Sequence, residues 1–237
     1  MVESTETQKT VDSNNPIVIS STYKKQSFTI SSFNKPYVQD IVIPEGLIKA
    51  RVERLAADVA AYYENKPYTI LVVMKQGYKV FNLLNEYLEK IYEKGVYNNT
   101  VRVEFIRLAT SLLGESGEIE IVGLDLLDIK GKDLLIVEAI VETGLSLQSL
   151  LDGLKEKGAK SAKVLSLIIK ENRTQFENYS IDFLGFIIPA KFVVGFGLDY
   201  NDNFRDINHI VSLTDTAIEN FKKKKSNFSK SRQFIDQ

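Results

Sequence analysis

The sequence predicts a parallel α/β sheet flanked by helices. Two largely apolar runs, the continuous YTILVVM at 68–74 and DLLIVEAIV at 133–141, are rich in β-branched residues. Such runs are typical of strands that are buried on both faces of a parallel sheet. A helical pattern follows each run after a short connection, which is the order of a β-α-β crossover.

The predicted elements alternate along the chain. LIKARVERLAADVAAYYE, at 47–64, places apolar residues at helical spacing and predicts a helix before the first buried strand. Helices are also predicted at 77–95 and 144–159, after the two buried strands. Alternating or apolar patterns predict the remaining strands, at 101–109, 118–123, 162–170, 183–189 and 192–200.

Composition predicts one folded domain with two polar ends. Of the 237 residues 44% are apolar, which is enough for a sizeable core. Residues 1–20 are rich in Ser, Thr, Asn and Glu and are predicted to be disordered. Residues 21–221 are predicted to form the domain, and residues 222–237, which begin with four lysines, a flexible basic tail.

Charge and residue types exclude several classes of function. The net charge of −1 gives no general attraction to nucleic acid or to an anionic membrane. Because there is no cysteine, disulfides, thiol catalysis and cysteine zinc sites are excluded, and the lone His209 excludes a histidine cluster. No signal-peptide pattern or long apolar run is present, so a cytoplasmic protein without membrane or nucleic-acid partners is expected.

Charged residues and glycines collect where the predicted strands end. In open α/β sheets, ligands bind beyond the carboxyl ends of the strands. The strand exits here are Lys75-Gln76-Gly77, Arg107-Leu108, the stretch 138–144, Lys170 and Leu198-Asp199. A single strand end can carry charged residues simply because it is exposed to solvent. The whole set of strand ends, however, favours a site for phosphates and a divalent cation.

The stretch VEAIVETGLS, at 137–146, predicts a phosphate-binding turn. A strand delivers Glu138 to the sheet edge, and Thr143, Gly144 and Ser146 then lie at a tight turn that opens a helix. Backbone N–H groups at a helix N-terminus bind phosphate dianions, and glycine allows the backbone to approach closely. By itself, a Thr-Gly turn before a helix is weak evidence for a phosphate site.

Several segments together resemble the hypoxanthine-guanine phosphoribosyltransferase family. The resemblance covers most of residues 40–215, and its most specific part is the order FVVG, LDYN and FRD within 192–206. It implies a twisted parallel sheet with a small hood over the active site. It also implies transfer of ribose 5-phosphate from phosphoribosyl pyrophosphate to hypoxanthine or guanine, with Mg²⁺. Members are commonly dimers or tetramers, so a homo-oligomer is expected.

The resemblance also implies a role for each matching position. Glu142 is the catalytic carboxylate near N7 of the base. The ribose and 5-phosphate would be held by Glu138, Thr143, Gly144, Leu145 and Ser146. The purine would be held by Lys170, Phe192 and Val193, and the pyrophosphate by Lys75, Gln76, Gly77 and Arg205. The metal residues would be Glu138 and Asp199, and the mobile hood loop would carry Thr110 and Ser111.

Some of these residues also have a purely structural interpretation. Phe192 lies in an apolar segment and could be core, and Asp199 could cap a turn. Arg205 could pair with Asp206 at the surface, and Lys170 could be a solvated strand end.

Four departures from the family pattern predict weakened chemistry. Ala139 stands where the family has a second acid, and loss of that carboxylate predicts donor binding weaker by about 10–100-fold. Glu142 replaces aspartate, and a displacement of about 1 Å can cost about 10²-fold. Gln76 replaces the glycine expected after Lys75, at a peptide bond that can be cis in the family. Thr110 and Ser111 replace a Ser-Tyr pair.

Three functions remain open from the sequence. The first is a purine-salvage phosphoribosyltransferase with reduced activity, favoured by the retained site residues. The second is an inactive nucleotide-binding homologue with a regulatory role. The third is a structural partner that forms mixed oligomers with an active relative.

Overall fold

A computed structural model describes residues 15–95, 97, 99–110, 119–171 and 180–222. Its strands are β1 (Ile17–Val18), β2 (Tyr23–Lys24), β3 (Val38–Ile43), β4 (Tyr68–Met74), β5 (Val101–Thr110), β6 (Ile119–Val122), β7 (Asp133–Val141), β8 (Ser161–Lys170), β9 (Phe183–Ile188) and β10 (Ile210–Leu213). Its helices are α1 (Glu45–Tyr63), α2 (Tyr78–Glu93), α3 (Leu145–Glu156) and α4 (Asp215–Lys222), and single 3-10 turns lie at Lys25–Ser27 and Leu124–Leu126.

Seven strands form the central sheet in the order β1-β9-β8-β7-β4-β5-β6. All neighbours are parallel except β6, which runs antiparallel to β5 at the sheet edge. The predicted parallel α/β class is therefore confirmed. A second, antiparallel sheet in the order β10-β3-β2 is the small hood that the resemblance implied.

Side chains of the central strands alternate between two hydrophobic layers. Ile70 and Val72 of β4 pack with α1 and α2, whereas Leu71 and Val73 pack on the other face with α3. This alternation follows from the period of two in an extended strand. Burial on both faces explains why β4 and β7 are largely apolar.

The apolar segment 192–200 was predicted to be a strand, and this prediction was wrong. Gly195 and Gly197 have φ of 94° and 96°, and Phe196 between them has φ of 49°. A strand cannot contain three successive residues with positive φ. The chain instead forms a tight turn, in which Gly195 and Leu198 each donate their N–H to the carbonyl of the other.

The N-terminal segment at 1–20 that was predicted to be disordered includes two residues that the structure describes as a short strand. Ile17 and Val18 pair with β9 and add an edge strand to the central sheet. The N–H of the next residue, the buried Ile19, donates to the carbonyl of Ile187 in β9. Residues 1–14 and 223–237 lie outside the described residues. No helix in the described ranges is long and apolar enough to cross a membrane.

Replacing Gly185 by alanine will destabilise the protein. A Cβ at Gly185, in β9, would lie 2.4 Å from the backbone oxygen of Leu167 in β8, so the two strands would have to separate. We expect a loss of about 1–3 kcal/mol in the free energy of unfolding, measured by urea denaturation. Gly46→Ala in α1 is the control, since nothing lies within 4 Å of its Cβ position. Equal midpoints for the two variants would contradict the packing described.

Candidate active site

One cleft lies beyond the carboxyl ends of β4, β7 and β8, where the sequence predicted a ligand site. Its volume is about 460 Å³, within the range of small-molecule sites. Most predicted site residues line it, namely Lys75, Gln76, Glu138, Glu142, Thr143, Gly144, Ser146, Lys170, Phe192, Val193, Asp199 and Arg205.

Gly77 and Leu145 do not line the cleft. A Cβ at Gly77 would meet the backbone oxygens of Val73 and Val137 at 2.7 and 2.9 Å. The side chain of Leu145 is exposed. Thr110 ends β5, and Ser111 lies outside the described residues.

The phosphate turn has the predicted form. Gly144 has a left-handed φ of 77° and no side chain to cap the helix, and α3 starts at the next residue. Because Thr143, Gly144 and Ser146 line the cleft, the N-terminal end of α3 faces it. A helix N-terminus carries partial positive charge and unsatisfied N–H groups, so this wall suits a phosphate.

Lys170 and Glu142 form an ion pair at the same edge. Lys170 Nζ donates a hydrogen bond to Glu142 Oε1. The side chain of Lys170 is only 7% exposed, whereas that of Glu142 is 46% exposed. Lys170 is therefore not the solvated strand end of the structural interpretation. A buried ammonium requires a counter-ion, and Glu142 supplies it.

Glu138 is a buried carboxyl in the wall of the cleft. Burial raises the pKa of Glu138 to about 8, although the backbone N–H groups of Ala139 and Ile140 act in the opposite direction by donating hydrogen bonds. Around neutral pH the ligand-free protein thus carries Glu138 largely as the neutral acid. A neutral carboxyl can both donate and accept a hydrogen bond.

Ala139 has a different position from the one that its interpretation as a missing ribose ligand requires. Its side chain is fully buried in the hydrophobic layer that includes Leu135 and Val137, and it is not part of the cleft wall. The alternation along β7 directs this position towards the core.

The opposite wall is a network of charged groups. Arg205 Nη2 lies 2.8 Å from Asp199 Oδ1 and 3.0 Å from Asp202 Oδ1, and Lys75 Nζ lies 3.0 Å from the same Asp202 oxygen. Asp199 Oδ2 also accepts the N–H of Asp202 at 2.7 Å, so Asp199 does cap a turn. Arg205 pairs with these two aspartates, while Asp206 instead binds Asn34.

Phe192 is available to a ligand. Its ring is 47% exposed and contacts Tyr200 edge to face, with 5.4 Å between ring centroids. The alternative interpretation of Phe192 as core is therefore wrong. The loop on the facing side contains Lys75, and its Met74–Lys75 peptide bond is cis.

Two charged residues of the cleft were not assigned a role from the sequence. Arg107 is a strand exit that the sequence did single out, and it lines the cleft at the end of β5. Asp202 also lines the cleft, three residues after Asp199. The only feature of the sequence that could have indicated a role for Asp202 is that it directly follows the LDYN motif at 198–201. An aspartate in a loop does not by itself indicate a site.

Comparison with known proteins gives first the class and then the family. A model of the phosphoribosyl transferase domain matches residues 39–201. The hypoxanthine-guanine phosphoribosyltransferases of Mus musculus and Homo sapiens are each 38% identical over 202 residues, which is 84% of this chain and 92% of the relative. A crystal structure of the Schistosoma mansoni hypoxanthine-guanine phosphoribosyltransferase in complex with IMP matches with a TM-score of 0.73 and 30% identity, over 87% of this chain and 99% of that one. The chain therefore belongs to the hypoxanthine-guanine phosphoribosyltransferase family.

The buried carboxyl of Glu138 will make stability depend on pH. Between its ordinary pKa of 4.5 and about 8, the folded protein keeps a proton that the unfolded chain has released. Stability therefore falls as pH rises through this window. Relative to Glu138→Gln, which stays neutral, we expect the wild type to lose roughly 3–5 kcal/mol between pH 4 and 9, measured by urea denaturation without ligand. Glu89→Gln, exposed on α2, is the control, and wild-type and Glu138→Gln curves that stay parallel across this range would contradict the assignment.

Proposed function

We propose that this protein is a purine-salvage phosphoribosyltransferase that forms IMP or GMP and pyrophosphate from hypoxanthine or guanine and phosphoribosyl pyrophosphate. The observation that carries the proposal is that three chemically different groups of residues line one cleft. Glu142, Lys170 and Phe192 lie at one part, the turn at 143–146 at another, and the Lys75, Asp199 and Arg205 network at a third. These suit a base, a 5-phosphate and a pyrophosphate respectively.

The Lys170–Glu142 pair complements the N7–O6 edge of a 6-oxopurine. An ammonium only donates hydrogen bonds and an ionised carboxylate only accepts them. The base would therefore place O6 against Lys170 and an N7–H against Glu142. As N9 bonds to C1′ of the ribose, Glu142 would take the N7 proton as general base. Adenine would present an amino group to Lys170, a donor against a donor.

The neighbouring residues would fix the plane of the base. The exposed ring of Phe192 would stack on it, and the backbone carbonyl of Val193 would accept a hydrogen bond from its edge. Stacking on an aromatic ring tolerates any purine. Because all 6-oxopurines share O6, discrimination among them would then depend on the hydrogen bond to the carbonyl of Val193 and not on Lys170.

The ribose and the 5-phosphate would lie between the base and α3. The N–H groups at the start of α3, with the hydroxyls of Thr143 and Ser146, would bind the phosphate. Glu138 would bind a ribose hydroxyl. These contacts position C1′ for attack, and positioning of this kind is a large part of enzymatic rate enhancement.

Magnesium would enter this site together with the pyrophosphate group. In the described residues no three acidic or histidine side chains are grouped so as to hold a metal ion. Mg²⁺ commonly binds through one or two carboxylates, water and substrate phosphates, so this donor set fits it. Asp199 would supply a carboxylate directly, and Glu138 only after it loses its proton, which a nearby cation favours. The bound ion would neutralise charge on the leaving pyrophosphate.

The rate and the assembly of the protein remain predictions. The reduced activity expected from the sequence rests on Ala139, Glu142, Gln76 and the hood loop, of which Glu142 and Gln76 line the cleft. A dimer or tetramer is expected as in the family. Tight GMP binding without turnover would favour the non-catalytic alternative.

Turnover and its dependence on Glu142 test the proposed function. With Mg²⁺, donor and hypoxanthine or guanine, we expect IMP or GMP to form faster than with boiled protein. Glu142→Gln should lower kcat by about 10²-fold or more, because it removes a general base. Glu142→Asp should raise kcat by about 10-fold if the extra methylene misplaces the carboxylate. Absence of turnover in both the wild type and Glu142→Asp would contradict the enzymatic proposal.

Removing the Lys170 ammonium will weaken nucleotide binding. Lys170→Met should raise the dissociation constant of GMP by about 10–100-fold, because it removes a hydrogen bond from a charged group. Isothermal titration calorimetry measures this directly. The matched control is Lys163→Met on the same strand, since Lys163 pairs with Asp182 at 2.7 Å and does not line the cleft. Equal GMP affinity in the two variants would rule out the role of Lys170.

A further inference from the structure

Asp202 stands at the junction of the two loops that form the pyrophosphate wall. Its Oδ1 accepts hydrogen bonds from Lys75 Nζ and from Arg205 Nη2, both at 3.0 Å. The loops also touch through their backbones, because a Cβ at Gly197 would lie 2.5 Å from the carbonyl oxygen of Gln76. One carboxylate oxygen therefore holds both cations that are proposed to bind pyrophosphate.

The two cations depend on Asp202 to different degrees. Arg205 is 19% exposed and also binds Asp199 Oδ1 at 2.8 Å and the carbonyl of Gly197 at 2.7 Å. Lys75 is 53% exposed, and in the described part of the chain its ion pair is with Asp202. Arg205 is thus held in place without Asp202, whereas Lys75 is neutralised by it.

The backbone of Asp202 is fixed while its side chain is not. Its N–H donates to Asp199 Oδ2 at 2.7 Å, and the left-handed φ of 61° continues that of Asn201 at 52°. The side chain is 69% exposed. The carboxylate can therefore turn away by rotation of its own side-chain bonds, with no change of the loop.

We propose that Asp202 is a positioning residue that occupies Lys75 and Arg205 in place of the pyrophosphate group and lowers the affinity of the site for it. This inference rests on the proposed function. Lys75 Nζ and Arg205 Nη2 both lie 3.0 Å from Oδ1 of Asp202, so the carboxylate offsets part of the positive charge of both cations. Pyrophosphate carries several negative charges and would compete with it for the same two cations.

The exposure of the pairs decides the outcome of this competition. Ion pairs as exposed as Asp202–Lys75 are weak and are screened by salt. Pyrophosphate can therefore displace the carboxylate, and the carboxylate can return when pyrophosphate leaves. Asp202 would thus favour product release, a step that often limits turnover.

Calorimetry with inorganic pyrophosphate and magnesium chloride tests this role on the full chain. Asp202→Asn should lower the dissociation constant of pyrophosphate by roughly 3- to 10-fold, the scale expected for loss of weak competing ion pairs. Asparagine has nearly the same size and tolerates a left-handed backbone, so the turn is retained. Asp202→Ser, also uncharged, should shift the affinity in the same direction. Binding of GMP should change by less than about twofold.

The control removes the same charge elsewhere. Asp128→Asn breaks an exposed pair with Lys132 at 2.7 Å and lies outside the cleft, so pyrophosphate affinity should not change. Unchanged or weaker pyrophosphate binding in both Asp202 variants would overturn the inference, as would absence of pyrophosphate binding in every protein. GMP binding by the wild type separates the Asp202 inference from the proposed function. A wild type that does not bind GMP would count against the proposed function itself.

Discussion

Parallel pairing of β4, β7 and β8 is the constraint on which the candidate site depends. Residues 69–72 of β4 pair with 134–137 of β7, and β7 pairs with β8 through Val141 and Ile169. This register ends the three strands side by side, so that Lys75, Glu142 and Lys170 follow at one edge. Each strand is held by burial on both faces, and the edge is therefore rigid where the chemistry is proposed.

Internal counter-charges organise the cleft before a ligand arrives. Lys170 is held by Glu142, and Arg205 and Lys75 are held by aspartates. The partly buried pair at the base end and the exposed pair at the pyrophosphate end differ in strength, because water screens the second more than the first. The base end is therefore preorganised for recognition, while the pyrophosphate end can exchange one anion for another.

The sequence predicted most of the central sheet, because strands such as β4 and β7 are buried on both faces and leave a clear apolar pattern. The small sheet of β2, β3 and β10 matches the hood that the resemblance implied, but no local pattern predicted its strands, nor the turn at 195–198, where glycines reverse an apolar run. The resemblance named the candidate site residues, and most of them line one cleft in the structure. The burial of Ala139, the raised pKa of Glu138 and the position of Asp202 depend on three-dimensional contacts, which no local pattern encodes.

A crystal structure of the protein with GMP and magnesium tests the central claim most directly. The account predicts the 5-phosphate on the N–H groups at the start of α3, the base against Phe192, and O6 within hydrogen-bond distance of Lys170 Nζ. A nucleotide bound outside the cleft would contradict the account. So would a nucleotide whose O6 points away from Lys170 while Lys170 and Glu142 keep their ion pair.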